Sequence, residues 1–508
     1  MATCTDHTAR TVIPKWKEYK DFASSGELMG GVIAANQVSY FSIHEYVERW
    51  RKSPSMATAG DLLSAAIMNG QTELPEVISA AKYVVKREDY GYLTLCKTAQ
   101  MLIPTEEDNS RIKHKSKIST KIGDLNIEHV YKERVSFLRK LINEYPYNPL
   151  WYVELAHSYV NIGLDDKAKK CMKIAVHLAP NSRYVSRCAA RLFLHCGDVD
   201  DAHHVLTDNG AFMNDPWLIA SEIAVNAAKN RGSRFIKRGL ALINSGNYSP
   251  FALTELTSAI GTIELESSFK KGRTLLNQSL IAPNDNSWAQ AEWLLDRDKS
   301  LGLNIQRKQA LMMSSEGQAI AAFSNQQYEA ALDNAIDWIS EIRFAKRPIY
   351  FAADMAYLYQ ERYEDAINIL QFGFKMHPQE FDFKNNLAYA YALNNQLSEA
   401  ERELNELRMI LPFGSTLNIC ATATEGLIEF RKGNSEQGRR LYTAAIDAAQ
   451  SIRFRQLADK ARLNLIREEV IANPKCDKTI FEPLDKLNTG DERETEAMKK
   501  TILKSIHE

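Results

Sequence analysis

Residues 149–182 read PLWYVELAHSYVNIGLDDKAKKCMKIAVHLAPNS, and residues 183–216, RYVSRCAARLFLHCGDVDDAHHVLTDNGAFMNDP, repeat their pattern 34 positions later. Leu155-Ala156 and Tyr159 return as Ala189-Ala190 and Phe193, Gly163 returns as Gly197, and Ala168 as Ala202. The same register links Ala366 to Ala400 and Pro378 to Pro412. A fixed period of this length points to stacked helical hairpins, an architecture that displays surface rather than enclosing chemistry. Within one copy the logic is physical. Leu155, Tyr159 and Ile162 give a first helix its apolar bulk, and Met172, Ala175 and Val176 do the same for a second. Ala156 and Ala168 are small enough to let the two backbones approach. Gly163 stops the first helix because glycine takes the left-handed conformation without a Cβ penalty, and Pro180, lacking an N–H, ends the second.

The arrangement Tyr152, Leu155, Ala156, Tyr159, Gly163, Ala168, Met172, Ala175 and Pro180 resembles the tetratricopeptide repeat signature, with Tyr152 where its tryptophan usually stands. Tyr328-Glu329-Ala330-Ala331 and Tyr363-Glu364-Asp365-Ala366 look like the turn and helix start of further copies, with Tyr357 and Tyr391 in matching aromatic slots. Gly426, Gly433, Tyr442 and Ala445 make a looser one. The resemblance implies an all-α protein, a right-handed superhelical α-solenoid of such hairpins preceded by an irregular helical block.

Outward from these copies, texture divides the chain. Residues 1–103 form an N-terminal helical block, opened by an irregular leader over 1–38. The pattern predicts helices from Tyr40 to Trp50, Asp61–Met68, Pro75–Val85 and Gly91–Leu102. Residues 104–124, with Arg111, Lys113, Lys115, Lys117 and Lys121, read as a charged, solvated linker. A helix over Ile127–Glu144 leads into a first repeat block, 125–216. Residues 217–311 keep helical texture but lose the strict signature, with a degenerate hairpin between Pro250 and Pro283. Residues 312–473 form a second block closed by a capping helix around Leu457–Ile466. The charged tail, 474–508, carries a short helix from Glu492. No alternating run of β-branched residues predicts a strand.

Composition excludes several classes. Lys plus Arg is 63 against 64 for Asp plus Glu, so nothing global attracts nucleic acid or an anionic membrane. No stretch approaches the ~20 apolar residues that span a bilayer, and no signal peptide opens the sequence. Seven scattered cysteines without a C-x-x-C pair suit a reducing, cytoplasmic location. Nucleotide-binding loops, H-E-x-x-H and G-x-S-x-G are absent from the sequence. His195, Cys196, Asp198, Asp200, Asp201, His203 and His204 crowd into ten residues, but they straddle a repeat turn and lack the separated ligand pairs of a zinc site. No cofactor, metal or catalytic group is expected.

In tetratricopeptide stacks the first helix of each hairpin lines the groove, so the resemblance implies a scaffold that holds protein or peptide partners there. Removing the packing positions leaves Arg187, Arg191 and His195 as a basic stripe, Phe351, Met355 and Tyr359 as an apolar one, and Asn385, Asn386 and Tyr389 as an amide and aromatic one. The lysine and asparagine clamp of the chaperone-binding subtype has no counterpart. Two other readings compete: a regulatory or sensor subunit whose N-terminal block contacts an effector, and nucleic-acid binding through 111–121 and Lys229, Arg231, Arg234, Lys237 and Arg238. The sequence fixes no oligomeric state.

Overall fold

In a computed structural model, residues 10–16, 43–69, 71–86, 99, 103, 118, 121–123, 125, 128–305, 314–411, 414–473 and 484–507 are described. Helix accounts for 76% of the described residues and no strand occurs among them, so the fold is all-α. The chain divides into a larger unit, Thr8–His114 with Ile127–Ala345, and a smaller one, Met1–His7 and Lys115–Asn126 with Lys346–Glu508. The division falls inside the stretch 312–473 that the sequence reads as one block.

The larger unit holds a three-helix cluster, α1 (Ile43–Lys52), α2 (Met56–Asn69) and α3 (Pro75–Lys86), with its own core of Trp50, Leu62, Leu63, Val77 and Val84. The expected helix over 91–102 lies outside the described residues apart from Ala99. The helical stack begins with α4 (Glu128–Glu144), which packs on the hairpin α5 (Pro149–Val160) and α6 (Asp165–Leu178). Then come α7 (Arg183–His195) with α8 (Val199–Thr207), α9 (Pro216–Ala227) with α10 (Ile236–Asn244), and α11 (Pro250–Ser267) with α12 (Phe269–Ser279). Next, α13 (Asp285–Arg297) runs into a 3-10 turn at Lys299–Leu301, and α14 (Ser315–Ser324) pairs with α15 (Tyr328–Glu341). The first helices α5, α7, α9, α11, α13 and α14 touch one another in that order.

The cause of this regularity is partly a cap. Asn148, Ser182, Asp215, Ser249 and Asn284 each stand just before a first helix and accept a hydrogen bond from its opening backbone N–H groups. Pro149, Pro216 and Pro250 follow directly, at the one place where a missing N–H costs nothing. The pitch of 33–35 residues therefore runs unbroken through 217–285, where the packing signature blurs. Gly163 and Gly197 close α5 and α7 with φ of 73° and 85°.

The smaller unit stacks α16 (Lys346–Tyr357), α17 (Tyr363–Met376), α18 (Phe381–Leu393), α19 (Leu397–Arg408), α20 (Thr416–Arg431), α21 (Ser435–Ser451) and α22 (Arg455–Ala472). Its last helix, α23 (Glu492–His507), packs on α22: Met498 and Ile502 are buried with Leu463, Ile466 and Val470. Residues 104–124 are not wholly a solvated linker. Lys121–Gly123 is helical and Ile118, Ile122 and Leu125 are buried, because a basic run can still carry apolar residues at helical spacing. Arg111, Lys113, Lys115 and Lys117 lie outside the described residues.

Candidate functional site

The leader supplies the unexpected feature. Arg10–Trp16 is non-helical, as the sequence suggests, yet Arg10, Val12, Pro14 and Trp16 are buried while Thr11, Ile13 and Lys15 are half-buried. The strap lies against the first helices of the larger unit's stack. Arg10 donates through Nε and Nη2 to the two carboxylate oxygens of Glu316 on α14, at 2.8 and 2.9 Å. Its Nη1 and Nη2 also donate to Gln290 Oε1 and Asn286 Oδ1 on α13, at 2.7 and 3.0 Å. A buried guanidinium requires such a forked, fully bonded partner set. The same two amides hold the strap's backbone: Gln290 Nε2 donates to the Arg10 carbonyl at 2.8 Å and Asn286 Nδ2 to the Ile13 carbonyl at 2.9 Å. Thr11 Oγ1 donates to the Ala224 carbonyl on α9, and Lys15 lies 3.2 Å from Glu316 and 3.6 Å from Asp285.

At the other end Trp16 is fully buried, edge-on to His157 of α5 at 5.0 Å and to Phe344 at 5.8 Å. Phe344 follows α15, and neighbouring Arg343 lies over the Tyr131 ring of α4. First and last parts of this stack thus come together with the strap enclosed between them. Burial, aided by the nearby Arg134 charge, pushes the His157 imidazole down to about 3. It is a neutral wall at ordinary pH.

Three residues singled out in the sequence meet at this place. Arg187 lies over the Trp217 ring and donates to Glu255 Oε2 at 2.6 Å. Glu255 Oε1 in turn accepts from Asn284 and Asn286, so Arg187 joins the network that ends on Arg10. Arg191 stacks on Phe344 at 4.8 Å, and His195 meets the same ring edge-on at 5.2 Å. Burial pulls Arg191 down to about 10, opposed by the Glu316 charge, and it stays cationic at neutral pH. Arg10, Trp16, Asn286, Gln290, Glu316 and Phe344 were not singled out. The leader's own signal was the alternation of Val12, Pro14 and Trp16 between cations.

The remaining six residues expected to meet a partner lie in the smaller unit, whereas the strap belongs to the larger. Phe351, Met355, Asn385, Asn386 and Tyr389 are buried, and Tyr359 is half-buried. Asn385 accepts from Thr424 of α20 at 3.1 Å, while Tyr389 donates to Asn464 and accepts from Arg467, both on α22. Burial and the charges of Asp491 and Glu494 raise the Tyr359 phenol. The space left beside Tyr357, Tyr389, Arg467 and Met498 is about 20 Å³, too small for a partner side chain. Later helices of the same unit thus cover Asn385 and Tyr389.

Residues 357–414 match the family model described as tetratricopeptide repeat. The match places a tetratricopeptide repeat at α17–α19 of the smaller unit. No curated relative matches it by sequence. Among solved structures, a human IFIT1 dimer with PPP-AAAA is similar at 15% identity and a TM-score of 0.37, covering 69% of this chain and 89% of that one. Yeast Tom70 is similar at 16% identity and a TM-score of 0.28, covering 78% of this chain and 97% of that one. Neither likeness carries a functional argument.

The ligand-rich turn between the second repeat's helices disperses its side chains. Asp200 pairs with Arg231 at 2.7 Å, Asp198 with Lys169 at 3.4 Å, and His203 lies 3.1 Å from Glu222. No cluster of three metal-ligating groups exists among the described residues. Burial raises the Cys171 and Cys196 thiols to about 11 and about 12, leaving them uncharged and poor nucleophiles. The basic group at 229–238 is partly engaged by the repeats themselves, Arg231 on Asp200 and Arg238 on the Met213 carbonyl. No described helix is long and apolar enough to cross a membrane.

Proposed function

We propose that this chain is a non-catalytic interaction scaffold, and that the inner face of its 128–345 stack is a groove for a protein segment. One observation carries the reading: a non-helical stretch already sits there, held by backbone-directed amides and by pockets for alternate side chains. That is how a folded surface takes a peptide. Arg187, Arg191 and His195 belong to this groove. A cytoplasmic setting is consistent with Cys188 and Cys420, both buried and unbridged. Nucleic-acid binding is the weaker alternative, since Arg231 and Arg238 are engaged within the stack.

A photo-crosslinking side chain placed at Trp217 in the groove, or at Tyr147, which is 81% exposed, tests this in the full chain. Partner proteins are expected to crosslink from 217 through one short segment. Capture from 147 alone overturns the groove assignment.

A further inference from the structure

The strap describes the ligand. Its guanidinium enters a pocket that satisfies it with one carboxylate and two amide oxygens, and its indole fills a slot between His157 and Phe344. Between them Val12 and Pro14 are buried in alternation, and Lys15 lies beside Glu316 and Asp285. The groove is therefore acidic where the strap is basic and aromatic where it ends. The partners lie far away in sequence: Arg10 and Glu316 are 306 positions apart. The strap thus docks as a tethered ligand would. It is also an imperfect occupant, because the Trp16 indole N–H is buried without an acceptor among the described residues.

We infer that this groove recognises, in another protein, a basic–aromatic segment of the form Arg-x-aliphatic-x-Pro-x-aromatic, and that Arg10–Trp16 is the resident competitor for it. The inference rests on the peptide-groove reading above and names its chemistry. A tethered competitor acts at an effective concentration on the order of millimolar, so a free segment that binds an open groove at ~10 μM is weakened roughly 100-fold. Partner binding and strap release are then one exchange reaction. Because the stack closes around the strap, exchange is slow and passes through local opening.

The test uses the full chain and a fluorescent peptide spanning Thr8–Lys17. Charge reversal, Arg10→Glu, sets two carboxylates against each other and expels the strap. The peptide is expected to bind this variant at least tenfold more tightly than wild type. Adding Glu316→Gln to that variant should remove the gain, and a peptide with Glu at the Arg10 position should not bind. Equal binding to wild type and Arg10→Glu, or binding indifferent to Glu316→Gln, overturns the inference. A second measurement needs no variant: saturating peptide should speed hydrogen exchange across residues 10–16 of wild-type chain, and unchanged exchange overturns it as well. If Trp217 crosslinks a partner while this peptide fails to bind, the groove reading stands and the assigned ligand chemistry falls.

Discussion

His157 shows how a single buried side chain sets the pH response of the larger unit. Its imidazole is held at about 3 by burial beside Trp16 and Phe344, whereas an unfolded chain titrates it near ~6.5. Below that higher value the unfolded state takes up a proton that the folded state refuses. Stability is therefore complete above pH 6.5 and is lost as pH falls towards 3, by up to ~1.4 kcal/mol per pH unit from this group. Carboxylates titrate in the same window, so the measurement is a difference. Denaturant midpoints between pH 6 and 4 should fall less steeply for His157→Gln than for wild type, and parallel curves would refute the assignment. Glu316 is the second decisive residue, since it faces Arg10, Lys15 and the field of Arg191. Glu316→Gln removes the carboxylate that faces buried Arg10 and should cost about 3–5 kcal/mol by chemical denaturation. Replacing both partners, in Arg10→Met with Glu316→Leu, should recover much of that loss.

At the scale of elements, the hairpins depend on caps and on close helix crossings. Asp215 accepts from Trp217 N at 2.9 Å and also pairs with Arg183. Asp215→Ala should lower stability by about 1–2 kcal/mol, with Asp215→Asn in between because it keeps the cap and loses the charge. A Cβ on Gly272 would lie 2.7 Å from Leu265 N and 2.9 Å from the Gly261 carbonyl oxygen, both backbone atoms that cannot swing away. Gly272→Ala should therefore destabilise by about 1–3 kcal/mol, despite the ~1 kcal/mol that alanine normally gains in a helix. An increase in thermal midpoint would contradict the crossing. These two devices explain what was legible in the sequence. The interior alanines and turn glycines repeat as letters, so the hairpins at 149–216 stand out. The caps repeat as a function that Asn, Ser and Asp perform equally well, and letter matching misses them across 217–285. Gly261 and Gly272 do the work of Ala156 and Ala168 in a different register.

At the scale of the molecule, two separated stretches complete two cores. Val12 and Trp16 join the core of the larger unit with Leu138, Phe193 and Phe344, and Ile502 and Met498 join that of the smaller with Leu463 and Val470. Of the residues at the strap, Arg187, Arg191 and His195 were legible as a group, because they share one helix face and periodicity reads such faces. The strap was not, because nothing local in residues 10–16 announces a partner some 300 positions away. The burial of five of the six residues singled out in the smaller unit was hidden for a related reason: helical spacing cannot tell a groove position from one that other helices cover. A consequence follows for unfolding. Trp16→Ala removes a fully buried indole, a change that costs about 3–5 kcal/mol in a well-packed core, and Ile502→Asp puts a charge among Leu463, Ile466 and Val470. If each unit melts on its own core, calorimetry of the full chain should resolve two transitions. Trp16→Ala should lower only the one belonging to the larger unit, and Ile502→Asp only the other. Displacement of both transitions by either substitution would mean that the two cores melt as one cooperative block, and that the strap stabilises the whole chain rather than the stack that encloses it.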